Sequence, residues 1–421
     1  MTETALRRSA LAVRTVPPAR VSAMPGPLLL AGVSDGPSLC AHRERHGRLP
    51  TPDLRTILGN VTAAGVAGRG GAGFPFARKL AATADGRRRP VVVVNLAEGE
   101  PASAKDTALA LLAPHHVLDG AESVARALGV KQVHVVVPAE RPRVGAALAA
   151  AVAERRAAAP HRRAATDWVL HEAAPGFVSG QSRAVIELLE GRPGLPVTAW
   201  QPEAVAGLRG RPTLLSNGET WAHVAAVLRR GARGYAAHGT AAEPGTTLLT
   251  LPHDEDSEAA VVVEAAYGTA WASVLGPAVH RPVLLGGFHG VWAGPGDLAE
   301  VTVSREQLRG LGLTLGAGAV LPLRPGQCPV TVTAEVVGYL ADQSARRCGP
   351  CRSGLPALAD EVWRLASGDP AASWTRIAEL AGLVDGRGAC AHPDGTARLV
   401  RSMLTTFDGE VAEHLAGRCL A

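Results

Sequence analysis

Lysine is nearly missing from this chain. Of 421 residues, 43 are Lys or Arg, yet only Lys79, Lys105 and Lys131 are lysines. Where a basic residue is interchangeable, the bias toward Arg wins. A surviving lysine either marks a spot that takes a compact point charge and not a guanidinium fork, or survives by chance. Aromatic residues make up 4% and net charge is +5. That leaves no stacking platform for nucleic acid, which is excluded as a partner. Long apolar runs are lacking too. Runs such as Pro27–Val33 and Pro90–Val94 fall well short of the ~18 residues a membrane span needs. The Arg-rich N-terminus lacks the apolar core of a signal peptide, so a cytoplasmic location is expected. Six cysteines in such a chain are not read as disulfides. Cys40, Cys328 and Cys419 are scattered and read as inert. The one tight basic run, Arg87–Arg89, reads as a helix C-terminal cap.

What is present is an alternating pattern. Residues 1–50, rich in Pro and Arg, read as an irregular N-terminal arm. Residues 51–240 alternate helix and strand: helix over Leu54–Ala67, a glycine loop and helix through Lys79, strand over Pro90–Asn95, helix over Asp106–Leu128, strand at Val133–Val137, helix over Val144–Ala157 and strand at Asp167–His171. This is an α/β architecture with a largely parallel sheet. Residues 241–326 read as a small β-rich domain, with strands at Thr246–Leu251 and Ala259–Glu264. Residues 327–421 read as a bundle of about four helices, over Val330–Ala345, Leu355–Ala366, Trp374–Leu383 and Gly395–Leu415.

Two loops carry the chemistry. Gly68, Gly70 and Gly73 satisfy G-x-G-x-x-G, but a dinucleotide fingerprint should follow a strand. Here a helix precedes it, so the ordinary Rossmann reading is rejected. Glycine backbone amides still approach an anion closely, the following helix adds its positive end, and Lys79 adds a full charge. The competing reading is a tight structural turn. Asn95, Glu98 and Glu100 follow a run of valines, at the strand end where ligands sit in open α/β sheets. Their side chains can accept from imide, amide or ribose groups, or the loop is simply an acidic turn in solvent. A phosphate at one end and a polar ring at the other is what a flavin nucleotide needs. Farther on, Cys348-Gly349-Pro350-Cys351 has C-x-x-C spacing, with Cys390 downstream. Three thiolates suit an iron–sulfur cluster; zinc, a redox dithiol or a structural role remain alternatives. His392 reads as polar surface or as an additional ligand.

Gly68–Lys79, Asn95–Asp106, Gly210–Thr213 running to Asn217–Thr220, Gly286-Gly287-Phe288 and Cys348–Arg352 together resemble, in order, the NADH-binding flavoprotein subunit of respiratory complex I and its relatives in soluble hydrogenases and formate dehydrogenases. The resemblance covers roughly residues 50–410. It implies an α/β FMN-binding domain, a small β-grasp (SLBB-like) domain and a C-terminal helical iron–sulfur domain. It implies that Gly68, Arg69, Gly70, Gly71, Lys79, Asn95, Glu98, Gly180, Asn217 and Thr220 line FMN. Phe74 would lie in the nucleotide cleft, Glu100 would contact the nicotinamide of NADH or NADPH, and Cys348, Cys351 and Cys390 would hold the cluster. No general acid or base is assigned. The activity implied is that of an NAD(P)H dehydrogenase-like flavoprotein, passing electrons through FMN and the cluster to an iron–sulfur or ferredoxin-like partner subunit, with peripheral association with a membrane complex open. Departures from the family pattern are Ala97 for Asp, Gln181-Ser182 for two glutamates, Ala82 for an aromatic, and Ala345 at the first cluster ligand. With three cysteines of four, the expected cluster is [3Fe–4S], or [4Fe–4S] with an unusual fourth ligand such as His392, or it is absent. A non-catalytic subunit with a degenerate dinucleotide cleft is the alternative.

Overall fold

The computed structural model describes residues 15–158, 166–252 and 259–420. They form two compact units. The first comprises Ala19–Gly99 and Ser103–Thr269, and the second comprises Glu100–Ala102 and residues 270–420, with residues 15–18.

The first unit is built on a parallel four-stranded sheet. Its strands are β2 (Val91–Asn95), β3 (Gln132–Pro138), β4 (Asp167–Ala173) and β5 (Thr213–Asn217), in the order β4-β3-β2-β5. Strand β2 explains why the valine run is continuous. Successive side chains point to opposite faces. Val92 and Val94 enter one apolar cluster with Leu80, Leu118 and Trp221, while Val91 and Val93 enter another with Val185 and Ile186. A strand covered on both faces needs apolar residues at every position. Strand β5 and the helices Ser182–Leu189 and Gly218–Tyr235 complete this layer.

A separate three-stranded sheet holds β1 (Arg20–Ala23), β6 (Thr246–Pro252) and β7 (Ala259–Ala266), in the order β1-β7-β6. This corrects the reading of residues 1–50 as an irregular arm. Arg20–Ala23 pair in parallel with residues 259–262, and Leu39–His46 form a helix whose Ser38 hydroxyl accepts from Ala41 N–H. The strand's partner lies far along the chain, so no local pattern marked it. Residues 1–14 of that arm lie outside the described residues.

In the second unit, β8 (Val283–Leu285), β9 (Val291–Ala293) and β10 (Val320–Pro322) form an antiparallel sheet in the order β10-β8-β9. The β-rich stretch 241–326 therefore contributes to two sheets. Helices Pro329–Asp342, Leu355–Ala366, Trp374–Val384, His392–Thr406 and Asp408–Leu415 follow. Two helices expected as single are broken. Pro114, at the first position of Pro114–Ala127, follows Ala113 at φ −142° and ends Lys105–Leu112, because proline cannot donate to the preceding turn. Phe407, at φ −123°, divides 392–406 from 408–415 and packs edge-on against Trp292 with ring centroids 5.4 Å apart.

Candidate functional site

The strand order places the site. From β2 the chain moves outward through β3 to β4, then returns to add β5 on the other side of β2. The reversal lies between β2 and β5, and the crevice at the C-terminal ends of such strands is where open α/β sheets bind ligands. Asn95 and Asn217 end these two strands and pair in register. Asn95 Nδ2 donates to Gly180 O (2.7 Å) and its Oδ1 accepts from Ala97 N–H (3.1 Å). Asn217 caps the helix Gly218–Tyr235, accepting from Thr220 N–H and hydroxyl.

The glycine loop arrives at the same edge. The helix Leu54–Ala63 precedes it, as expected. Gly68 N–H donates to Phe74 O (2.8 Å), and Ala67 and Pro75 form a bridge closing its base. Arg69 N–H donates to the Thr220 hydroxyl (3.0 Å), pinning the loop to the β5 turn. Gly70, Gly71, Gly73 and Phe74 are exposed. A Cβ on Gly70 would meet nothing within 4 Å, and Gly70 has no positive φ. Nothing among the described residues requires glycine there, which fits a cradle that another group approaches closely.

Several side chains expected to face a ligand are spent inside the protein. Arg69 is 7% exposed; its guanidinium meets the Tyr267 hydroxyl, Thr246 O (2.9 Å) and Glu219 (3.8 Å). Lys79 Nζ donates to Glu203 (2.9 Å) and Leu215 O (3.0 Å), so its charge is paired. Lys105 is buried between Asp106 (3.0 Å) and Glu219 (3.3 Å). Burial opposes its charge, but these carboxylates and Glu98 hold it above the ordinary lysine range. The compact charge expected from its survival thus serves an internal ion cluster. Glu98, at φ 39°, turns its carboxylate inward. It accepts from Ser103 hydroxyl, Asp106 N–H, Thr107 N–H (each 2.9 Å), Thr107 hydroxyl (2.6 Å) and Arg141 (2.7 Å). Burial alone would raise its pKa; Arg141 and Lys105 reverse that and hold it below the usual range. The side chains of Asn95 and Glu98 are thus both engaged within the protein. The ion cluster of Arg69, Lys105, Asp106 and Glu219 was missed from sequence, because its members sit on segments up to 150 residues apart.

Glu100 belongs to the second unit. Its carboxylate accepts from Phe288 N–H (2.8 Å) and Ala102 N–H (3.1 Å). Gly287, at φ 88°, makes room: a Cβ there would lie 2.5 Å from Glu100 Oε2. This accounts for the Gly286-Gly287-Phe288 motif.

In the same unit, Cys351 lies in a π-helical turn, Pro350–Gly354, and is buried. Burial pushes its thiol up to about 12, and the adjoining Cys348 and Cys390 thiols push the same way. Cys390 is thus a neighbour of the C-x-x-C despite its distance in sequence. His392 is not surface: it is fully buried, its Nε2–H donates to Leu340 O (2.8 Å), and its Nδ1 faces His289 Nε2 (3.1 Å). Both ring nitrogens are engaged, so it is not available as a fourth ligand in this arrangement.

Residues 61–226 match the Nuo51 FMN-binding domain, and residues 331–414 match the NADH-ubiquinone oxidoreductase-F iron–sulfur binding region. The chain is 28% identical over 376 residues to the subunit designated F of the NADH-quinone oxidoreductase of Streptomyces coelicolor, covering 86% of this chain and 83% of that protein. It is 26% identical over 376 residues to NADH dehydrogenase (ubiquinone) flavoprotein 1 of Dictyostelium discoideum, covering 85% of this chain and 78% of that protein. Among solved structures it resembles a chain of an NAD+-reducing [NiFe]-hydrogenase in the H2-reduced state, with TM-score 0.82 and 27% identity, over 95% of this chain and 68% of that one.

Proposed function

We propose a function from one premise: this chain belongs to the NADH dehydrogenase flavoprotein family and carries its FMN-binding domain and iron–sulfur binding region. In this reading the protein takes electrons pairwise from NADH or NADPH and releases them singly, through an iron–sulfur cluster, to an iron–sulfur or ferredoxin-like partner subunit. FMN, when bound, supplies the conversion from two-electron to one-electron chemistry; the protein contributes position and electrostatics.

The amides of Gly70 and Gly71 and the N-terminal end of helix Phe76–Ala84 hold the FMN phosphate, with Lys79 and Glu203 as a charge pair at its margin. Asn95, Glu98, Gly180 and Asn217 border the ring end mainly through backbone, and Arg69 and Thr220 fasten the loop. Phe74 lines the nucleotide cleft, and Glu100 keeps the family's nicotinamide contact. Cys348, Cys351 and Cys390 ligate the cluster; with Ala345 in place of the family's first ligand, it is [3Fe–4S] or a [4Fe–4S] cluster with a ligand from elsewhere. The stretch 241–326 is the counterpart of the family's β-grasp domain. No helix among the described residues is long and apolar enough to cross a membrane. We keep a cytoplasmic location, with any membrane complex bound peripherally.

The observation that carries this reading is the Asn95–Asn217 register at the sheet reversal, with the glycine loop pinned beside it by the Arg69–Thr220 bond. The test is anaerobic purification with flavin and iron counted. Stoichiometric FMN is expected, with ~3–4 iron atoms per chain. A folded preparation that neither carries nor takes up FMN overturns the reading. A second reading, a non-catalytic electron-transfer subunit, is favoured by Gln181 and Ser182 standing where relatives carry two glutamates. Bleaching of bound flavin by NADH or NADPH discriminates the two.

A further inference from the structure

We infer that the C-terminal helices of the second unit hold a structural zinc ion, separate from the iron–sulfur cysteines, ligated by Cys328, Glu410, His414 and Cys419. One ligand atom from each of these residues lies within 4.8 Å of all the others. The closer spacings carry the argument. Cys328 Sγ stands 3.2 Å from His414 Nε2 and 3.4 Å from Glu410 Oε1. Glu410 Oε1 stands 3.3 Å from His414 Nε2 and 3.3 Å from Cys419 Sγ. Zinc takes sulfur at ~2.3 Å and nitrogen or oxygen at ~2.0 Å, so a tetrahedron around it has edges of about 3.3–3.8 Å. Four of the six edges have about that length.

The donor set is the second argument. Two thiols, an imidazole and a carboxylate suit a borderline-soft, tetrahedral divalent ion and not a hard one. The orientation of His414 is the third. Its Nδ1–H donates to Leu365 O (3.2 Å), which fixes the tautomer and leaves the Nε2 lone pair toward the cluster. A backbone carbonyl on the far nitrogen is the outer contact that ligating histidines carry.

The local fold supplies the ligands economically. Glu410 and His414 are four residues apart on the helix Asp408–Leu415 and so share a face. Cys328 precedes the helix Pro329–Asp342 as its cap. Cys419 returns from the tail just beyond the last helix, where Leu420 N–H also donates to Glu410 Oε1 (3.1 Å). A metal here would staple the final helix and tail to the first helix of the bundle.

The test is zinc analysis of the full-length holoprotein, purified without chelator, alongside its iron and flavin content. One zinc per chain is expected. Zinc-edge X-ray absorption should resolve two sulfurs and two lighter atoms. His414→Gln should weaken zinc binding by more than the ~100-fold that loss of an outer contact costs. Cys419→Ser alters an exposed residue and should lower zinc content while leaving iron and flavin unchanged. Three overturning results are defined: a zinc-free protein with all four groups merely hydrogen-bonded, a Cys328–Cys419 disulfide detected by mass, or a zinc with three sulfur neighbours, which would belong to Cys348, Cys351 and Cys390.

Discussion

Replacing Glu98 by Gln separates two roles that the same carboxylate could have. Its two oxygens accept five hydrogen bonds, from Ser103, Asp106, Thr107 (twice) and Arg141. Four of those five donors are in the first turn of the helix Lys105–Leu112 or just before it. In Gln, one oxygen becomes an amide donor. Whichever one changes, it faces at least two donors, and Arg141, 8% exposed at its side chain, loses its counter-charge. Breaking a buried ion pair by removing one partner costs about 3–5 kcal/mol, a large share of the ~5–15 kcal/mol that holds a domain together. At ~2–4 °C per kcal/mol for a unit of this size, Tm should fall by at least about 6 °C. The assay is thermal unfolding of flavin-free protein, so that ligand binding adds nothing to the difference. The sign with pH follows. The Glu98 pKa is depressed in the folded state, so its contribution is complete above the ordinary carboxylate range and disappears as pH falls through the folded value. Wild type and variant should converge in acid. A variant that melts within about 2 °C of wild type yet loses FMN would refute this reasoning and assign the carboxylate to the ligand.

Two further substitutions test the sites directly. Gly70→Val adds a side chain into space that the protein leaves open, so stability should move by no more than ~0.5 kcal/mol while FMN retention collapses; unchanged flavin content would remove the loop from the site. Ala345→Cys restores the family's first cluster ligand, and should raise iron from about three to four per chain if the native cluster is [3Fe–4S]. Unchanged iron, with an unchanged electron paramagnetic resonance spectrum, would mean that another group already fills that corner.

What the sequence revealed follows from range. The valine run of β2, the glycine loop and the C-x-x-C are local patterns in which neighbouring residues share one physical task, and each lies where expected. Side-chain direction was not local. Glu98 looked like a ligand contact because its loop follows a strand, but a positive φ turns its carboxylate to the helix behind. Lys79 looked like a free charge because Glu203 is 124 residues away. Cys328 and Cys419 looked scattered for the same reason: the helices that join them are made by packing. Strand β1 has no periodic signature of its own and exists because β7 offers it an edge.

The ion cluster behind the glycine loop gives a pH profile that an ordinary set of salt bridges would not. Glu98 has Arg141 and Glu219 has Arg69 nearby, while among the described residues Asp106 pairs with Lys105 alone, which Glu219 shares. The excess negative charge therefore falls on Asp106. Burial, reinforced by Glu98 and Glu219 and opposed by Lys105, pushes it from 3.8 up to about 6. Glu219 goes the other way: burial would raise it, but Lys105, the His223 imidazole 3.6 Å away and Arg69 bring it from 4.5 down to about 2. A raised acid is a cost at neutral pH that is relieved as pH falls from the folded value to the unfolded one. A depressed acid is a gain that is lost as pH falls from the unfolded value to the folded one. Each shift is worth on the order of 3 kcal/mol. Together they make this unit gain stability as pH drops from about 6 toward 4, where Asp106 takes up its proton, and lose it below about 4, where Glu219 does. Glu219→Gln removes the lower limb and, by taking away a repelling charge, shrinks the upper one. Melting temperatures of the two proteins from about pH 3 to 7 should therefore differ by an amount that peaks near pH 4. A difference that stays constant across that range would mean that the four groups do not titrate as a cluster, and that Lys105 is balanced by Asp106 alone.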